Sequence, residues 1–273
     1  MSAVLVTGAG RGIGLAITRH LSGQGWDVYA TARSADDLRD LGRLPHVHPL
    51  QLDITDRSAV ARLPEQLPTL LDGVVNNAGI IVQGPVETLP LDDLTRQLEV
   101  NVTAQIAVVQ AVLPQLREAR GRVVFMSSVS GLITLPGTGA YSASKYALES
   151  LADALRMELR PWRIPVSLIE PGPTRTDMWN DALDDFDKMA GQLTPAHRDL
   201  YASHLAGTRK LLGRTQNQTS DPDKVVKAVD RALTSRRPKR RYRCDNVSRA
   251  QLALVSVTPT AVTDALFARA TTS

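Results

Sequence analysis

Short apolar, β-branched runs alternate along this chain with longer segments in which apolar residues recur at helical spacing. The short runs predict strands at 3–7, 27–32, 47–53, 73–77, 122–127, 165–170 and 241–244. The segments between them predict helices at 12–23, 35–42, 56–66, 91–117, 139–160 and 222–235. This alternation is typical of repeated βαβ units. The expected fold class is α/β, a doubly wound three-layer sandwich around a central, mainly parallel sheet of seven strands.

Length and composition favour one soluble domain, 1–273. The 273 residues can form one sizeable hydrophobic core, and 43% apolar with 22% charged residues is ordinary for a folded soluble protein. No stretch approaches the roughly 18 uninterrupted apolar residues of a membrane span. Met1 runs directly into SAVLVTG without the features of a secretory signal, so we expect a cytoplasmic protein. The single cysteine, Cys244, suits a reducing compartment and is expected to be inert.

Positive charge is concentrated in the run RRPKRRYR, residues 236–243, although the net charge of the whole chain is only +4. A nucleic-acid-binding protein is expected to carry a basic face and a recognisable docking element, and the sequence shows neither. We therefore expect no nucleic-acid partner and interpret the run as a solvated turn and edge strand. Contact with an acidic membrane surface or partner remains the alternative.

The segment 177–220 interrupts the alternation because it has no strand signal. Its residues Trp179, Leu183, Phe186 and Ala190 fall at helical spacing, with acidic residues between them. Because the segment follows the sixth strand, near the edge where ligands bind in such sheets, we expect a helical insert that acts as a substrate lid. A helical hairpin that only packs on the sheet is the alternative. The acidic residues lack the spacing of metal ligands, so no metal site is expected.

A glycine-rich turn, TGAGRGIG, joins the first strand to the first helix. Gly8 permits the tight turn, Gly12 lets the backbone approach a pyrophosphate, and Gly14 allows the helix to pack closely on the strand. The free N–H groups at the start of the helix favour an anion. Within a βαβ unit, this turn predicts a dinucleotide site.

The spacing Gly-x-x-x-Gly-x-Gly resembles that of the short-chain dehydrogenases/reductases. The resemblance continues, in order, through NNAG (76–79), Asn101, SS (127–128), YSASK (141–145) and PGPTRT (171–176). The insert and the C-terminal tail are loosely similar to the hydroxysteroid and retinol dehydrogenase branch. The resemblance implies a Rossmann-type oxidoreductase that acts on CH–OH or C=O groups with a nicotinamide cofactor. It also implies a homodimer or homotetramer assembled through the two long helices.

Four residues match the catalytic positions of this family. Tyr141 and Lys145 are four apart on a predicted helix and so share one face. An adjacent ammonium, together with the charge of an oxidised nicotinamide, is expected to lower the pKa of the phenol. By resemblance, Ser128 hydrogen-bonds the substrate oxygen, Tyr141 exchanges the proton, and Lys145 also holds the nicotinamide ribose. Asn101, by the same resemblance, anchors a water relay to Lys145.

The resemblance also assigns cofactor contacts. Asp53 matches the acid that binds adenine, and it is also a candidate N-cap for the following helix. The segment 77–79 matches the positions along the adenosine ribose, and Thr174 and Thr176 match those that bind the nicotinamide carboxamide. The full set assigned to the cofactor is Gly8, Arg11, Gly12, Ile13, Gly14, Ala32, Arg33, Asp53, Ile54, Asn77, Ala78, Gly79, Tyr141, Lys145, Pro171, Gly172, Thr174 and Thr176.

The end of the second strand bears on which cofactor is used. NAD-dependent sites place an acid there, whereas NADP-dependent sites supply cations for the 2′-phosphate. Here Ala32 is followed by Arg33, and Arg11 stands in the glycine turn. We therefore expect a preference for NADP(H) over NAD(H). The acids of SADD are not substitutes, because this stretch is typical of a helix start with Ser34 as the N-cap.

The leading hypothesis is an NADPH-dependent reduction of a ketone or aldehyde on a small, largely apolar substrate. One alternative is an NADP-dependent dehydrogenase that works in the oxidative direction. A second is a non-catalytic nucleotide-binding regulator, against which the intact catalytic positions argue. His197 and His204 are expected at the surface. The candidate pocket walls are Leu135, Pro136, Trp179, Phe186 and the segment LALVSV (252–257).

Overall fold

The computed structural model describes residues 2–176, 181–216, 219–245, 249–250, 255 and 258–272. It contains a seven-stranded sheet with the order β3-β2-β1-β4-β5-β6-β7, in which each pair of neighbours runs parallel. The strands are β1 (Ala3–Val6), β2 (Asp27–Ala32), β3 (Val47–Gln51), β4 (Gly73–Asn76), β5 (Arg122–Met126), β6 (Val166–Glu170) and β7 (Arg241–Arg243). The predicted doubly wound α/β sandwich is confirmed, and this sheet is parallel throughout. Two candidate pocket walls, Trp179 and all of 252–257 except Val255, lie outside the described residues.

Helices connect the strands at nearly the predicted positions. They are α1 (Gly12–Gly23), α2 (Ala35–Leu41), α3 (Arg57–Arg62), α4 (Leu91–Leu98), α5 (Ala104–Ala119), α6 (Gly139–Glu158), α7 (Ala182–Gln192), α8 (Pro195–Leu200), α9 (Ala202–Gln216), α10 (Asp223–Thr234) and α11 (Thr260–Thr272). One prediction is wrong in detail. The segment 91–117 is not a single helix, because a π-helical turn, Glu99–Thr103, separates α4 from α5. None of the helices in the described ranges is long and apolar enough to cross a membrane.

Two hydrophobic cores lie on opposite faces of the sheet. Alternate strand residues point to opposite faces, so Leu5 and Phe125 enter one core while Val4 and Val124 enter the other. Helices α3, α5 and α6 cover the first face, and α1, α2 and α10 contribute to the second. Each fully buried Val, Leu or Phe contributes about 1.5–3 kcal/mol to stability, which explains the continuous apolar runs of the central strands.

The order of the strands determines where a ligand can bind. The chain passes from β1 outward to β2 and β3, and then crosses back to place β4 on the other side of β1. A crevice opens at such a reversal, outside the carboxyl ends of the strands. The glycine turn after β1, the segment after β4 and Ser128 after β5 all lie at this edge.

The insert 177–220 folds as helices α7, α8 and α9 in its described part. Helices α7 and α9 are joined by Arg209, which donates hydrogen bonds of 2.8 and 2.9 Å to the Asp187 carboxylate. Phe186 is buried, as expected for the apolar face of α7, and Asp184 and Asp185 are exposed. The acidic residues of α7 therefore form a solvated face with local ion pairs.

The basic run 236–243 includes the edge strand β7, as predicted. The expectation that the whole run is solvated is wrong for Arg241 and Arg243. The guanidinium of Arg241 lies 2.9 Å from Glu149 Oε2 and 3.2 Å from Glu170 Oε1, and that of Arg243 lies 3.3 Å from Glu170 Oε2. Both carboxylates are buried and require counterions, so two cations of the run are structural. Burial raises the pKa of the neighbouring Cys244 thiol to about 12, which suits an inert residue.

Candidate active site

The turn between β1 and α1 has the backbone that its glycines predict. Gly8 and Gly12 have φ angles of +63° and +56°, in the left-handed region that disfavours a side chain. A Cβ atom on Gly14 would lie 2.2 Å from the Gly8 carbonyl oxygen and 2.5 Å from Asn77 Nδ2. A Cβ atom on Gly12 would instead meet Thr176 at 3.6 Å, an ordinary contact. Gly14 is therefore required by packing, and Gly12 by its backbone conformation.

Helix α1 offers backbone N–H groups to the same crevice. Its N-cap residue, Arg11, makes no capping hydrogen bond with its side chain, and the first turn holds no acid. The helix is 12 residues long, so this end carries the positive end of its dipole. Arg11, Gly12 and Ile13 line one large cleft. A phosphate group suits this end of the helix.

Hydrogen bonds attach the segment after β4 to the glycine turn. The Thr7 hydroxyl accepts hydrogen bonds from the backbone N–H groups of Asn77 (3.0 Å) and Ala78 (3.1 Å). The side-chain amide of Asn77 donates to the carbonyl oxygens of Thr7 and Gly8, each at 3.0 Å. Asn77 therefore holds the shape of the glycine turn in addition to lining the cleft.

The end of β2 presents a cation to the cleft, and the first turn of α2 presents an acid. Ala32 is buried, whereas the Arg33 side chain is largely exposed and lies 3.9 Å from Asp53. The Ser34 hydroxyl accepts a hydrogen bond from the Asp37 amide, so the predicted N-cap of α2 is confirmed. Sequence reasoning missed where the Asp37 side chain lies. A Cβ atom on Gly10 would come within 2.6 Å of Asp37 Cγ, so this carboxylate occupies the space beside the glycine turn.

Asp53 lies in the cleft wall between β3 and α3. Its carboxylate accepts hydrogen bonds from the Thr55 amide (2.9 Å) and hydroxyl (2.8 Å). The Thr55 amide is the largest cause of the lowered pKa of Asp53, and it outweighs the partial burial of the carboxyl. The expectation that Asp53 caps the next helix is wrong, because Asp56 is the N-cap of α3 and accepts from the Ser58 and Ala59 amides.

Asn101 is fully buried in the π-helical turn between α4 and α5. Its Oδ1 atom accepts from the Ile80 amide (2.9 Å), and its Nδ2 atom donates to the Ile80 carbonyl (3.0 Å) and to Ser144 Oγ (3.1 Å). Gln97, also fully buried, donates to the Ile80 carbonyl and accepts from the Val82 amide. These bonds tie the loop after β4 to α6. Asn101 lies behind the cleft wall rather than in it.

Ser128 and Tyr141 meet at the centre of the cleft wall. Ser128 follows β5, and its hydroxyl accepts a hydrogen bond of 3.1 Å from the Ser130 amide. Burial raises the pKa of the Tyr141 hydroxyl, and hydrogen bonding with Ser128 offsets this only in part. The groups of the protein alone do not lower this pKa, because desolvation disfavours the phenolate more than these groups stabilise it. The expected lowering, which also included the charge of the nicotinamide, stays a prediction. A lowering depends on the other contribution in that expectation, the charge of the nicotinamide.

Lys145 lies one helical turn after Tyr141 and is buried. Its ammonium donates a hydrogen bond of 2.8 Å to the Met126 carbonyl and lies 5.6 Å from the centre of the Tyr141 ring. Burial lowers the pKa of Lys145 to about 8, and the charge of Glu149 acts in the opposite direction. The predicted proximity of Tyr141 and Lys145 is confirmed. The ammonium itself is less stable than on a free lysine.

The turn after β6 also lines the cleft, and its Thr176 lies beside Gly12 of the glycine turn. The Gly172 amide donates to Asp245 Oδ2 (3.2 Å), and the Thr174 hydroxyl donates to the Gly172 carbonyl (3.0 Å). The Thr176 hydroxyl donates to the Thr174 carbonyl (3.3 Å). These bonds hold Thr174 and Thr176 beside Pro171 in the cleft wall.

One continuous cleft of about 1660 Å³ contains every position assigned to the cofactor, together with Ser128. Of the catalytic set, only Asn101 is set back from it. The predicted walls Leu135 and Pro136 line the cleft, whereas Phe186 is buried and does not line it. His197 and His204 are also absent from the described wall. The wall formed by α9 consists of Thr208, Leu211, Leu212 and Thr215.

The family model for short chain dehydrogenases matches residues 2–186. The chain is 36% identical to retinol dehydrogenase 5 of Mus musculus, with 88% of this chain and 79% of that protein covered. It is 34% identical to the NADPH-dependent 3-dehydrocapnine reductase of Ornithobacterium rhinotracheale, with 89% and 87% covered. A short chain dehydrogenase from Burkholderia cenocepacia J2315, solved in complex with NADP, superimposes with a TM-score of 0.76 at 25% identity and covers 100% of this chain and 98% of that one. The chain belongs to the short chain dehydrogenase family of oxidoreductases.

Proposed function

We propose that this oxidoreductase uses NADPH to reduce a ketone or aldehyde carbonyl on a small, largely apolar substrate. The observation that carries the proposal is the meeting of Ser128, Tyr141 and Lys145 in the wall of the cleft that also holds the glycine turn. The NADPH-dependent relative and the NADP-bound neighbour support the choice of cofactor.

The residues of the glycine turn fit a dinucleotide. The left-handed backbone of Gly8 and Gly12 leaves the N–H groups of α1 facing the cleft without a side chain in the way. A pyrophosphate supplies the negative charge that this end of α1 favours. When bound there, a nicotinamide would supply the hydride for the carbonyl carbon of the substrate.

The protein supplies the other half of the reduction. Ser128 donates a hydrogen bond to the carbonyl oxygen, and Tyr141 transfers its hydroxyl proton to that oxygen as the hydride reaches the carbon. The charged Lys145 stabilises the phenolate that Tyr141 becomes. Because burial raises the pKa of Tyr141, this residue keeps its proton at neutral pH, which suits a proton donor.

Apolar side chains from two elements form the substrate end of the cleft. Leu135 and Pro136 lie on the loop before α6, and Leu211 and Leu212 face them from α9 of the insert. The insert is also tied to the body of the protein, because the Tyr201 hydroxyl donates a hydrogen bond of 2.6 Å to Glu87. We propose that the insert 177–220 is the lid of the substrate pocket.

We propose that Arg11 and Arg33 bind the 2′-phosphate of NADPH. Ala32 leaves no carboxylate at the end of β2, and both guanidinium groups lie in the cleft wall. A hydrogen bond to a charged group contributes about 1.5–3 kcal/mol, so Arg33→Ala is expected to weaken NADPH binding about 10- to 100-fold. Binding of NADH should change much less. Asp37 carries the opposite charge in the same cleft, so Asp37→Asn is expected to shift the preference further toward NADPH.

Steady-state kinetics with both cofactors on a graded panel of ketones and aldehydes test this function. The matched control is Arg39→Ala, which removes an exposed arginine of α2 that pairs with Asp36 and does not line the cleft. Equal or better efficiency with NADH in the wild-type protein would refute the preference. Forward and reverse rates on the best substrate compare reduction with oxidation directly.

A further inference from the structure

Helix α6 carries a ladder of four polar residues at steps of four, Tyr141, Lys145, Glu149 and Asp153. Residues at this spacing lie one above another on the same face of a helix. The first two belong to the site described above. Glu149 lies immediately below Lys145 and is buried, although a lone buried carboxylate is costly.

Groups from two other elements, β7 and the segment after β5, act on the Glu149 carboxylate. Its Oε2 atom accepts a hydrogen bond of 2.9 Å from Arg241 Nε of β7. Arg241 also donates a hydrogen bond of 2.8 Å to Asp153 Oδ2 and lies 3.2 Å from Glu170 Oε1 of β6. Ser127, after β5, faces Glu149 from above. Burial raises the pKa of Glu149, while Ser127 and Arg241 act to lower it.

The charged groups around Glu149 are therefore of both signs. Lys145 and Arg241 attract its carboxylate, whereas Asp153 and Glu170 repel it. Arg243 takes part only indirectly, because its ion pair is with Glu170. The ion pair with Arg241 thus holds the Glu149 carboxylate in place and offsets the repulsion from Asp153 and Glu170.

Lys145 has little else to keep it charged. Among the residues that the structure describes, its ammonium donates to one neutral carbonyl, that of Met126, and forms no salt bridge. Burial works against the charged form, and within the described part of the chain Glu149 is the one carboxylate that acts in its favour. An uncharged Lys145 could not stabilise the phenolate of Tyr141.

We propose that Glu149 is a positioning residue that keeps Lys145 in its charged form during the reaction, with Arg241 holding the Glu149 carboxylate in place. The inference rests on the proposed function of Tyr141 and Lys145. The competing explanation is that Glu149 only ties α6 to β7 through Arg241. Asp153 separates the two explanations, because it accepts from the same guanidinium but lies two turns from Lys145, at the exposed end of the ladder.

The experiment measures kcat with NADPH between pH 5 and pH 10 for the wild type, Glu149→Gln, Glu149→Asp and Asp153→Asn. In the wild type, kcat is expected to fall as the pH rises through the pKa of Lys145 near 8. Glu149→Gln should move this fall by about one pH unit toward acid, which is a tenfold loss of kcat on the alkaline limb. Glu149→Asp, which retains the charge, should restore the wild-type profile, and Asp153→Asn should leave it unchanged.

A second readout does not depend on turnover. Lys145 is labelled with an amine reagent across the same pH range, and the modified residue is quantified by mass spectrometry. Glu149→Gln should lower the pH at which Lys145 becomes reactive, and Asp153→Asn should not. If the wild type reduces no carbonyl with NADPH, the proposed function fails, whereas this labelling still tests the effect of Glu149 on Lys145.

Two outcomes would overturn the inference. One is an unchanged profile and unchanged labelling in Glu149→Gln, and the other is an equal shift in Asp153→Asn. If Glu149→Gln does not fold, the double variant Glu149→Gln/Arg241→Met replaces it, because removing both partners of a buried pair is often tolerated. A smaller shift toward acid is expected in that variant, because the positive charge of Arg241 is removed together with the carboxylate, and the absence of any shift counts equally against the inference.

Discussion

Gly14→Ala is expected to damage both the fold and the cofactor site. The added Cβ atom would lie 2.2 Å from the Gly8 carbonyl oxygen, where ordinary contacts begin at 3.4 Å, so α1 must move away from the turn by about 1 Å. Asn77 Nδ2, at 2.5 Å, cannot swing aside without losing its hydrogen bonds to Thr7 and Gly8. Overpacking of this kind costs about 1–3 kcal/mol, and we expect the upper end because both obstacles are anchored.

The assays are thermal unfolding and cofactor binding. A loss of about 3 kcal/mol lowers Tm by roughly 6 °C for a chain of this length. The displaced amides of α1 should also weaken NADPH binding about tenfold or more. Gly23→Ala, in the last turn of the same helix, is the matched control, because its Cβ atom meets nothing within 4 Å. It should raise stability by about 0.5–1 kcal/mol. The reasoning is refuted if Gly14→Ala is as stable as Gly23→Ala and binds NADPH as well.

Two further predictions concern the buried polar groups. Asn101→Ala should lower the free energy of unfolding by about 2–4 kcal/mol in denaturant titrations, because the buried Asn101 side chain is lost and the partly buried Ile80 amide loses its acceptor. Thr103→Ala, on the exposed side of the same turn, should cost about 0.5 kcal/mol or less. Lys145→Met should abolish activity yet raise Tm at pH 7. Folding lowers the pKa of Lys145 from 10.5 to about 8. The free-energy cost of burying the charged ammonium is therefore fully present below pH 8 and disappears above pH 10.5. Lys145→Met should raise the free energy of unfolding at pH 7 by about 2 kcal/mol, after allowing for the lost hydrogen bond to Met126. This increase should shrink as the pH rises to 10.5. An increase that stays constant with pH would contradict this explanation.

The local elements were predictable because their causes are local. Helix α1 begins and ends where the glycine turn and the apolar spacing predict, and Ser34 caps α2 as the stretch SADD indicates. Strand alternation likewise predicts which side chains enter each core. These features depend on residues within one or two turns of each other.

The π-helical turn at 99–103 could not be predicted in this way. The apolar spacing of 91–117 is that of one helix, and the interruption depends on buried hydrogen bonds from Asn101 and Gln97 to Ile80, about 20 residues earlier in the chain. The periodicity of apolar residues cannot predict a hydrogen-bonding partner at that distance along the chain. Such turns often occur at functional sites, so the π-helical turn at Asn101 itself indicates a functional site.

The charged groups of the site also divide into those whose positions the sequence predicts and those whose contacts only the folded structure shows. The motifs placed Tyr141 beside Lys145 and Arg33 at the end of β2, and those placements depend on helical spacing and strand ends. The direction of the Tyr141 pKa, the carboxylate of Asp37 beside Gly10 and the link from Lys145 to Arg241 through Glu149 appear only in the folded chain.

The sequence by itself determined the fold class, the glycine turn and the pairing of Tyr141 with Lys145 on α6, because each depends on the spacing of nearby residues. The tertiary structure alone decided which of these groups are desolvated and which charges oppose one another. Desolvation and Coulomb energies depend on atoms within a few ångströms in space. In this protein those atoms come from elements as far apart in sequence as helix α6, with Glu149, and strand β7, with Arg241.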